Sequence, residues 1–333
     1  MPHTKFDLDI QNIIKKFIGS KIIVVGDVML DVYLRGSVNR ISPEAPVPVV
    51  SIEEKDERLG GAANVALNLK SLGATPLLCS VIGNDVASKS VRRILKKNGM
   101  AGAGLLSSSK RITSVKTRVL SRNHQMLRYD AEDTTDLNTI DEQWLIKKIS
   151  EMIMVEKPAA LIFEDYNKGV LTEKLISNII ALCRKKKVFT AVDPKKKNFF
   201  TYKNIDLFKP NLREIRDAFN KEITEINSAS LLNVSDELMQ RLGNKITLIT
   251  LSEMGIFFHS KKDAGIFSAH KRHISDVSGA GDTVIALITL CLVSGLSLPE
   301  AATLANMAGG LVCEHPGVVP ISTGMLLSEL KNN

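Results

Sequence analysis

Short β-branched runs alternate with longer amphipathic segments along most of the 333 residues, and that alternation constrains the fold more than any other feature. Residues 21–26 (KIIVVG) read as a buried strand, and residues 62–72 read as a helix with Ala63, Ala66, Leu67 and Lys70 on related faces. The same spacing predicts strands over 74–81, 159–163, 188–192, 207–209 and 246–251, and helices over 86–97, 139–155, 172–187, 212–219 and 230–242. Thr172 is placed to cap the 172–187 helix, with Leu175, Ile176, Ile179, Ile180 and Cys183 at helical spacing. Continuously apolar strands alternating with helices build a mainly parallel central sheet with helices on both faces. The expectation is a single α/β domain over residues 1–333.

Two stretches break the alternation. Residues 38–54 contain Pro43, Pro46 and Pro48 followed by Val49, Val50 and Ile52, and residues 114–130 alternate polar with apolar side chains (Val115, Thr117, Val119, then Met126 and Arg128). Alternation of this kind marks a sheet with one wet face. Together the two read as a small antiparallel β lid over about 34–58 and 112–130, although an edge hairpin has the same periodicity.

Charge and cysteine usage narrow the function. A net charge of +8 suits nucleic acid and phosphorylated small molecules equally. With one tryptophan and 5% aromatics there is no platform for stacking bases, and the lysine runs 184–187 and 195–197 are short, so no nucleic-acid partner is expected. Cys79, Cys183, Cys291 and Cys313 lie far apart in mostly apolar stretches, without metal spacing, and read as buried thiols of a reducing compartment. Residues 1–20 do not read as a signal peptide, and no apolar run reaches the ~18 residues of a membrane helix. A soluble cytoplasmic protein without a membrane partner is expected. His124, His270, His273 and His315 have no ligand spacing and read as structural.

Polar groups gather at successive strand ends. The segment Asp276-Val277-Ser278-Gly279-Ala280-Gly281-Asp282-Thr283 precedes the apolar run 284–293. Glycines let backbone approach a ligand, and a helix start offers unpaired N–H groups to an anion. A carboxylate among such donors suits a base that deprotonates a hydroxyl attacking phosphorus; a capped glycine turn is the plainer alternative. Gly60-Gly61-Ala62-Ala63-Asn64 joins a strand-like run to a helix, and Asn64 can donate to and accept from a hydroxyl pair. Asp31, in the loop expected after the first strand, fits sugar hydroxyls or a helix cap equally. Asp165 and Asp193 follow two further strands. Asn211 and Glu214 fit water-mediated Mg²⁺ organisation or a capping box, and both readings can hold together.

On these residues the chain resembles the PfkB-type carbohydrate kinases of the ribokinase fold. Two signatures carry the likeness: Gly60-Gly61-Ala62-Ala63-Asn64, with Gly73 and Gly83 following, and Asp276 through Thr283. Within that family it is most similar to the heptose 7-phosphate kinases of lipopolysaccharide-core biosynthesis. The segments that carry this are 26–31, 40–49, Ser121-Arg122-Asn123-His124-Gln125, Asp165-Tyr166-Asn167-Lys168-Gly169 and 192–195. Ala286 and Leu287 depart from the usual small pair, and Glu164 stands where a serine often precedes the aspartate. No HxGH motif of a nucleotidyltransferase occurs, so a kinase-only form is expected, with a separate nucleotidyltransferase as pathway partner.

The resemblance implies a site. Asp282 would be the general base, with Gly279, Ala280 and Gly281 forming the anion hole for the γ-phosphoryl group of ATP. Asp31, Gly60, Gly61, Asn64 and Asp165 would hold the sugar, and Arg122 and Lys195 its phosphate, with Arg40 and Arg128 behind them. Asn211, Glu214, Thr250, Ser252, Gly255 and Asn306, the last in the final helix, would serve the nucleotide. Glu214 would organise Mg²⁺ through water. A monovalent cation such as K⁺ would sit by Asp276 and Ser278, near Gly317. The lid would pair two subunits into a homodimer. Alternatives are a ribokinase- or fructokinase-like enzyme and a non-catalytic sugar-phosphate sensor.

Overall fold

The computed structural model describes residues 10–332 apart from positions 123, 222 and 224, so Asn123 and residues 1–9 lie outside the described residues. After α1 (Ile10–Phe17) comes β1 (Lys21–Gly26). A long hairpin follows, β2 (Val28–Ile41) and β3 (Pro48–Gly61), leading directly into α2 (Ala62–Ser71). Next are β4 (Thr75–Gly83), α3 (Val86–Lys97), β5 (Gly104–Ser108) and a second hairpin, β6 (Ser114–Ser121) and β7 (His124–Ala131). The chain continues through α4 (Thr139–Glu156), β8 (Ala160–Glu164), α5 (Glu173–Lys186), β9 (Phe189–Asp193), β10 (Leu207–Phe208), α6 (Leu212–Phe219) and α7 (Ser228–Leu242). It ends with β11 (Ile246–Thr250), β12 (Ile256–Ser260), β13 (Ala264–Phe267), α8 (Ala280–Val293), α9 (Leu298–Cys313) and α10 (Thr323–Asn332).

Nine strands form one sheet in the order β13-β12-β11-β10-β9-β8-β1-β4-β5. The run from β11 to β5 is parallel, and β12 and β13 are antiparallel at one edge. Side chains alternate across a strand, which splits β1 between two cores. Ile22 and Val24 join α2, α8 and α9, while Ile23 and Val25 join α4, α5 and α7. Burial on both faces is why KIIVVG carries no polar alternation. Helix α8 is buried at every residue from Asp282 to Cys291, as befits a helix that is apolar all round. No described helix is long and apolar enough to cross a membrane.

A second sheet, ordered β3-β2-β6-β7, forms the lid. Its two hairpins are antiparallel, and they join through a parallel β2–β6 pair. The lid strands are rooted deeper than their sequence suggests. β2 starts at Val28, so Asp31 lies on a strand rather than in a loop, because residues 28–33 are all buried and show no alternation. Strands β5, β12 and β13 are further strands that the sequence reading did not mark. Asn306 stands on α9, and α10 follows it.

Candidate active site

Ligands of open α/β sheets gather beyond the carboxyl ends of the strands, and here the polar residues collect at that edge. Gly279 is the N-cap of α8 at φ +83°, and no side chain among the described residues caps the helix. The conformation favours glycine, and so does the space: a Cβ there would stand 2.9 Å from the Asn64 amide nitrogen. Asp282 follows in the first turn, 3% exposed. Its two oxygens are held from opposite parts of the chain. Asn64 Nδ2 donates to Oδ2 at 2.7 Å, and the Tyr166 hydroxyl donates to Oδ1 at 2.8 Å. Burial raises the Asp282 pKa above the usual carboxylate value against the lowering pull of these two donors, and the charge on Asp193 adds to the rise.

Asn64 thus meets the carboxylate of Asp282 from the first turn of α2. Asn68, one turn on, donates to the Asn64 backbone carbonyl and accepts from Thr283 Oγ1 and the Ile321 amide, tying α2 to α8 through buried polar contacts. Gly60 and Gly61 precede this turn. A Cβ on Gly60 would fall 2.2 Å from Asp31 Oδ2, so the glycine makes room for the Asp31 carboxylate. Asp31 is buried and accepts from Arg118 Nη1 at 2.6 Å.

Glu164, Asp193 and Asp282, all buried, bring carboxylate oxygens within 4.8 Å of one another. Among the described residues, neither Glu164 oxygen has a hydrogen-bond partner. Burial, then the charges of Asp193 and Asp282, push the Glu164 pKa well above its ordinary value. Asp193 behaves oppositely: burial would raise its pKa, but Lys195 and Lys209 together hold it below the usual range. Lys209 Nζ lies 2.8 Å from Asp193 Oδ2. Lys195 bridges Asp193 and Glu214.

The expected residues fall into distinct groups. Gly279, Ala280, Gly281, Asp282, Asn64, Gly60, Gly61 and Asp31 come together. Asp165 turns away: its carboxylate accepts from the Asn167 amide, Asn198 Nδ2 and the Tyr202 hydroxyl, in the core beneath the sheet edge. Burial raises its pKa to about 6. Lys195 is engaged by carboxylates, Arg122 is exposed in the β6–β7 turn at φ +54°, Arg40 is exposed near the end of β2, and exposed Arg128 pairs with Asp130. Asn211 and Glu214 form a capping box on α6, each bonding the other's backbone amide. Thr250 bridges to Asn211, and Ser252 follows at φ +55°. Gly255 and Asn306 converge on the Phe267–Ser268 backbone, where Asn306 donates to both carbonyls and a Cβ on Gly255 would meet the Phe267 oxygen at 2.0 Å. Asp276 accepts from the Ser278 and Gly317 amides.

Sequence reasoning gave no role to Tyr166, Lys116, Arg118 or Lys209. Only Lys209 left a signal, a lone cation closing the apolar end of β10.

Comparisons with known proteins identify the family and the fold. A family model described as pfkB family carbohydrate kinase matches residues 20–323. The Bifunctional protein HldE of Methylobacillus flagellatus is 40% identical over 311 residues, covering 93% of this chain and 63% of that protein. The Bifunctional protein HldE of Aliarcobacter butzleri is 40% identical over 291 residues, covering 87% of this chain and 60% of that protein. The chain therefore spans about three fifths of the length of these relatives. Among solved structures, Escherichia coli phosphofructokinase-2 in complex with potassium superposes with a TM-score of 0.77 at 18% identity, covering 94% of this chain and 99% of that one. Arabidopsis thaliana ribokinase complexed with ribose and ATP gives 0.73 at 17%, with the same coverage. Identities this low establish the ribokinase-like fold alone.

Proposed function

The chain belongs to the pfkB family of carbohydrate kinases, and from that premise we propose that it transfers the γ-phosphoryl group of ATP to the anomeric O1 of D-glycero-D-manno-heptose 7-phosphate. The bond from the γ-phosphorus to the β-phosphate bridging oxygen breaks, the O1–P bond forms, the O1 proton passes to Asp282, and ADP leaves with the 1,7-bisphosphate. The observation that carries this reading is the Asp282 carboxylate, buried at the mouth of α8 and held on both oxygens by Asn64 and Tyr166. Its raised pKa makes it a stronger base than a free carboxylate. The amides of Gly279, Ala280 and Gly281 would steady the travelling charge, since a helix start carries unpaired N–H donors. The heptose assignment rests on the segment similarities described above and on the HldE relatives.

Asp31, Gly60 and Gly61 would hold the sugar, with Asn64 aligning the base. Asp165 would support the loop behind them. Asn211, Glu214, Thr250, Ser252, Gly255 and Asn306 would serve the nucleotide. Each Glu214 oxygen has one protein partner and keeps a second acceptor direction, which fits holding waters of a Mg²⁺ ion. That ion supplies charge neutralisation on the phosphates. A monovalent cation by Asp276 and Ser278 would share its loop with Arg58, whose guanidinium already holds the Pro316 and Val318 carbonyls; no step depends on it. Exposed Val47, Ile52, Met126, Leu127 and Tyr129 on the lid strands and their turn support pairing of two subunits there. A nucleotidyltransferase activity would consume the product, and such a pathway would run in the cytoplasm.

ADP release across a panel of sugars and sugar phosphates tests this reading. Heptose 7-phosphate is expected to give the highest kcat/KM, and Asp282→Asn to lose about 10²–10⁴-fold in kcat. A preferred unphosphorylated sugar would sink the heptose assignment, and full turnover by Asp282→Asn would sink the base assignment.

A further inference from the structure

The inner part of the lid carries two cross-strand rows of charge. One row reads Arg58, Asp31, Lys116, Asp130 across β3, β2, β6 and β7, and the next reads Asp56, Tyr33, Arg118, Arg128. Directly paired residues share a face of a sheet. The cations of these rows have anionic partners, with one exception. Arg58 pairs with Asp56, Arg118 with Asp31 and Arg128 with Asp130. Beyond the rows, Lys168 pairs with Glu132, and Lys195 with Asp193 and Glu214. Lys116 has no carboxylate within ion-pair distance among the described residues.

Lys116 is nevertheless half-buried, and it points at the reaction centre. Its ammonium lies 4.9 Å from the centroid of the Tyr166 ring, whose hydroxyl is bonded to Asp282. Burial lowers its pKa, Asp31 and Asp130 oppose the shift, and Arg128 and Lys168 add to it. A half-buried cation without an ion pair of its own gains more from an arriving anion than one already paired. The geometry points to Lys116 as the anchor for a phosphomonoester dianion carried by the acceptor sugar, at a subsite separate from the γ-phosphoryl cradle at residues 279–281. This rests on the reading that Asp282 deprotonates the acceptor: the amine lies over the ring whose hydroxyl holds the base, so a sugar with its attacking hydroxyl on Asp282 would present a distal phosphate along the inner face of the lid. A lysine offers such a group a point charge with three donors.

The experiment is a steady-state comparison of the wild type, Lys116→Met and Lys116→Arg. Each is assayed with heptose 7-phosphate and with the same heptose lacking phosphate, and ATP is varied separately. Lys116→Met is expected to lower the ratio of kcat/KM for the phosphorylated over the unphosphorylated acceptor by roughly ten- to a hundredfold, mainly through KM. Lys116→Arg should restore part of that ratio. Inorganic sulfate should compete with the phosphorylated acceptor in the wild type and less well in Lys116→Met. An equal loss on both acceptors would overturn the assignment, as would a rise in the KM for ATP alone. If another sugar phosphate replaces heptose 7-phosphate as the best acceptor and still depends on Lys116, the subsite stands and only the heptose reading falls.

Discussion

Tyr166→Phe isolates a single interaction at the base. The substitution removes the hydroxyl 2.8 Å from Asp282 Oδ1 but keeps the ring against which Lys116 and Lys195 lie. A hydrogen bond to a charged group contributes about 1.5–3 kcal/mol. At ~1.4 kcal/mol per pKa unit, its loss should lift the Asp282 pKa, already raised by burial, by a further one to two units. The donor favours the ionised form, so the acid limb of kcat/KM against pH must move toward higher pH. The linked stability effect has a fixed sign. A carboxyl whose folded pKa rises further above its unfolded value loses stability at pH above that folded pKa. The loss disappears as pH falls below the unfolded value. Chemical denaturation at pH 8 should therefore show the variant about 1.5–3 kcal/mol less stable, with the gap closing toward pH 4. An acid limb that stays in place would refute the claim that Tyr166 tunes the base, whatever happens to kcat.

Gly279→Ala should cost about 1–2 kcal/mol in stability, the penalty for a side chain at a left-handed φ. It should also lower kcat more than tenfold, because the new Cβ would displace the Asn64 amide from Asp282; unchanged kcat would count against the Asn64 contact. Glu164→Gln tests the buried acid. Wild-type Glu164 binds its proton more tightly folded than unfolded, so its contribution to stability declines as pH rises from its ordinary value toward its raised one. The glutamine variant should show a flatter stability–pH slope in melts across that window, and an identical slope would remove the protonated acid from the account.

The α8 loop was legible in the sequence because its signal is local: glycines, an acid and an apolar run within eighteen residues. The parallel sheet was legible because strands buried on both faces lose their polar residues. The partners of the base were not legible. Asn64 and Tyr166 lie 218 and 116 positions from Asp282, and only the packing of α2 and β8 beside α8 brings them together. Asp165 stands apart from that cluster for a simpler reason. Side chains at a strand end alternate, so Glu164 and Tyr166 reach the Asp282 cluster while Asp165 between them turns toward Tyr202. Lys195 looked like a free cation because Glu214, which engages it, comes from a helix nineteen residues on. Lys116 stayed hidden inside an alternating strand, where nothing distinguishes a lysine aimed at a ligand from one facing water.

Strand β3 runs from the outer edge of the lid to Gly61, and α2 begins at the next residue. Three positions later Asn64 grips the carboxylate of Asp282. Lid and base therefore share one short run of chain: a tilt of the flap about its root would be carried by residues 58–64 to the asparagine that holds the carboxylate. Fit of an acceptor under the flap and alignment of the base would then be set by the same few residues.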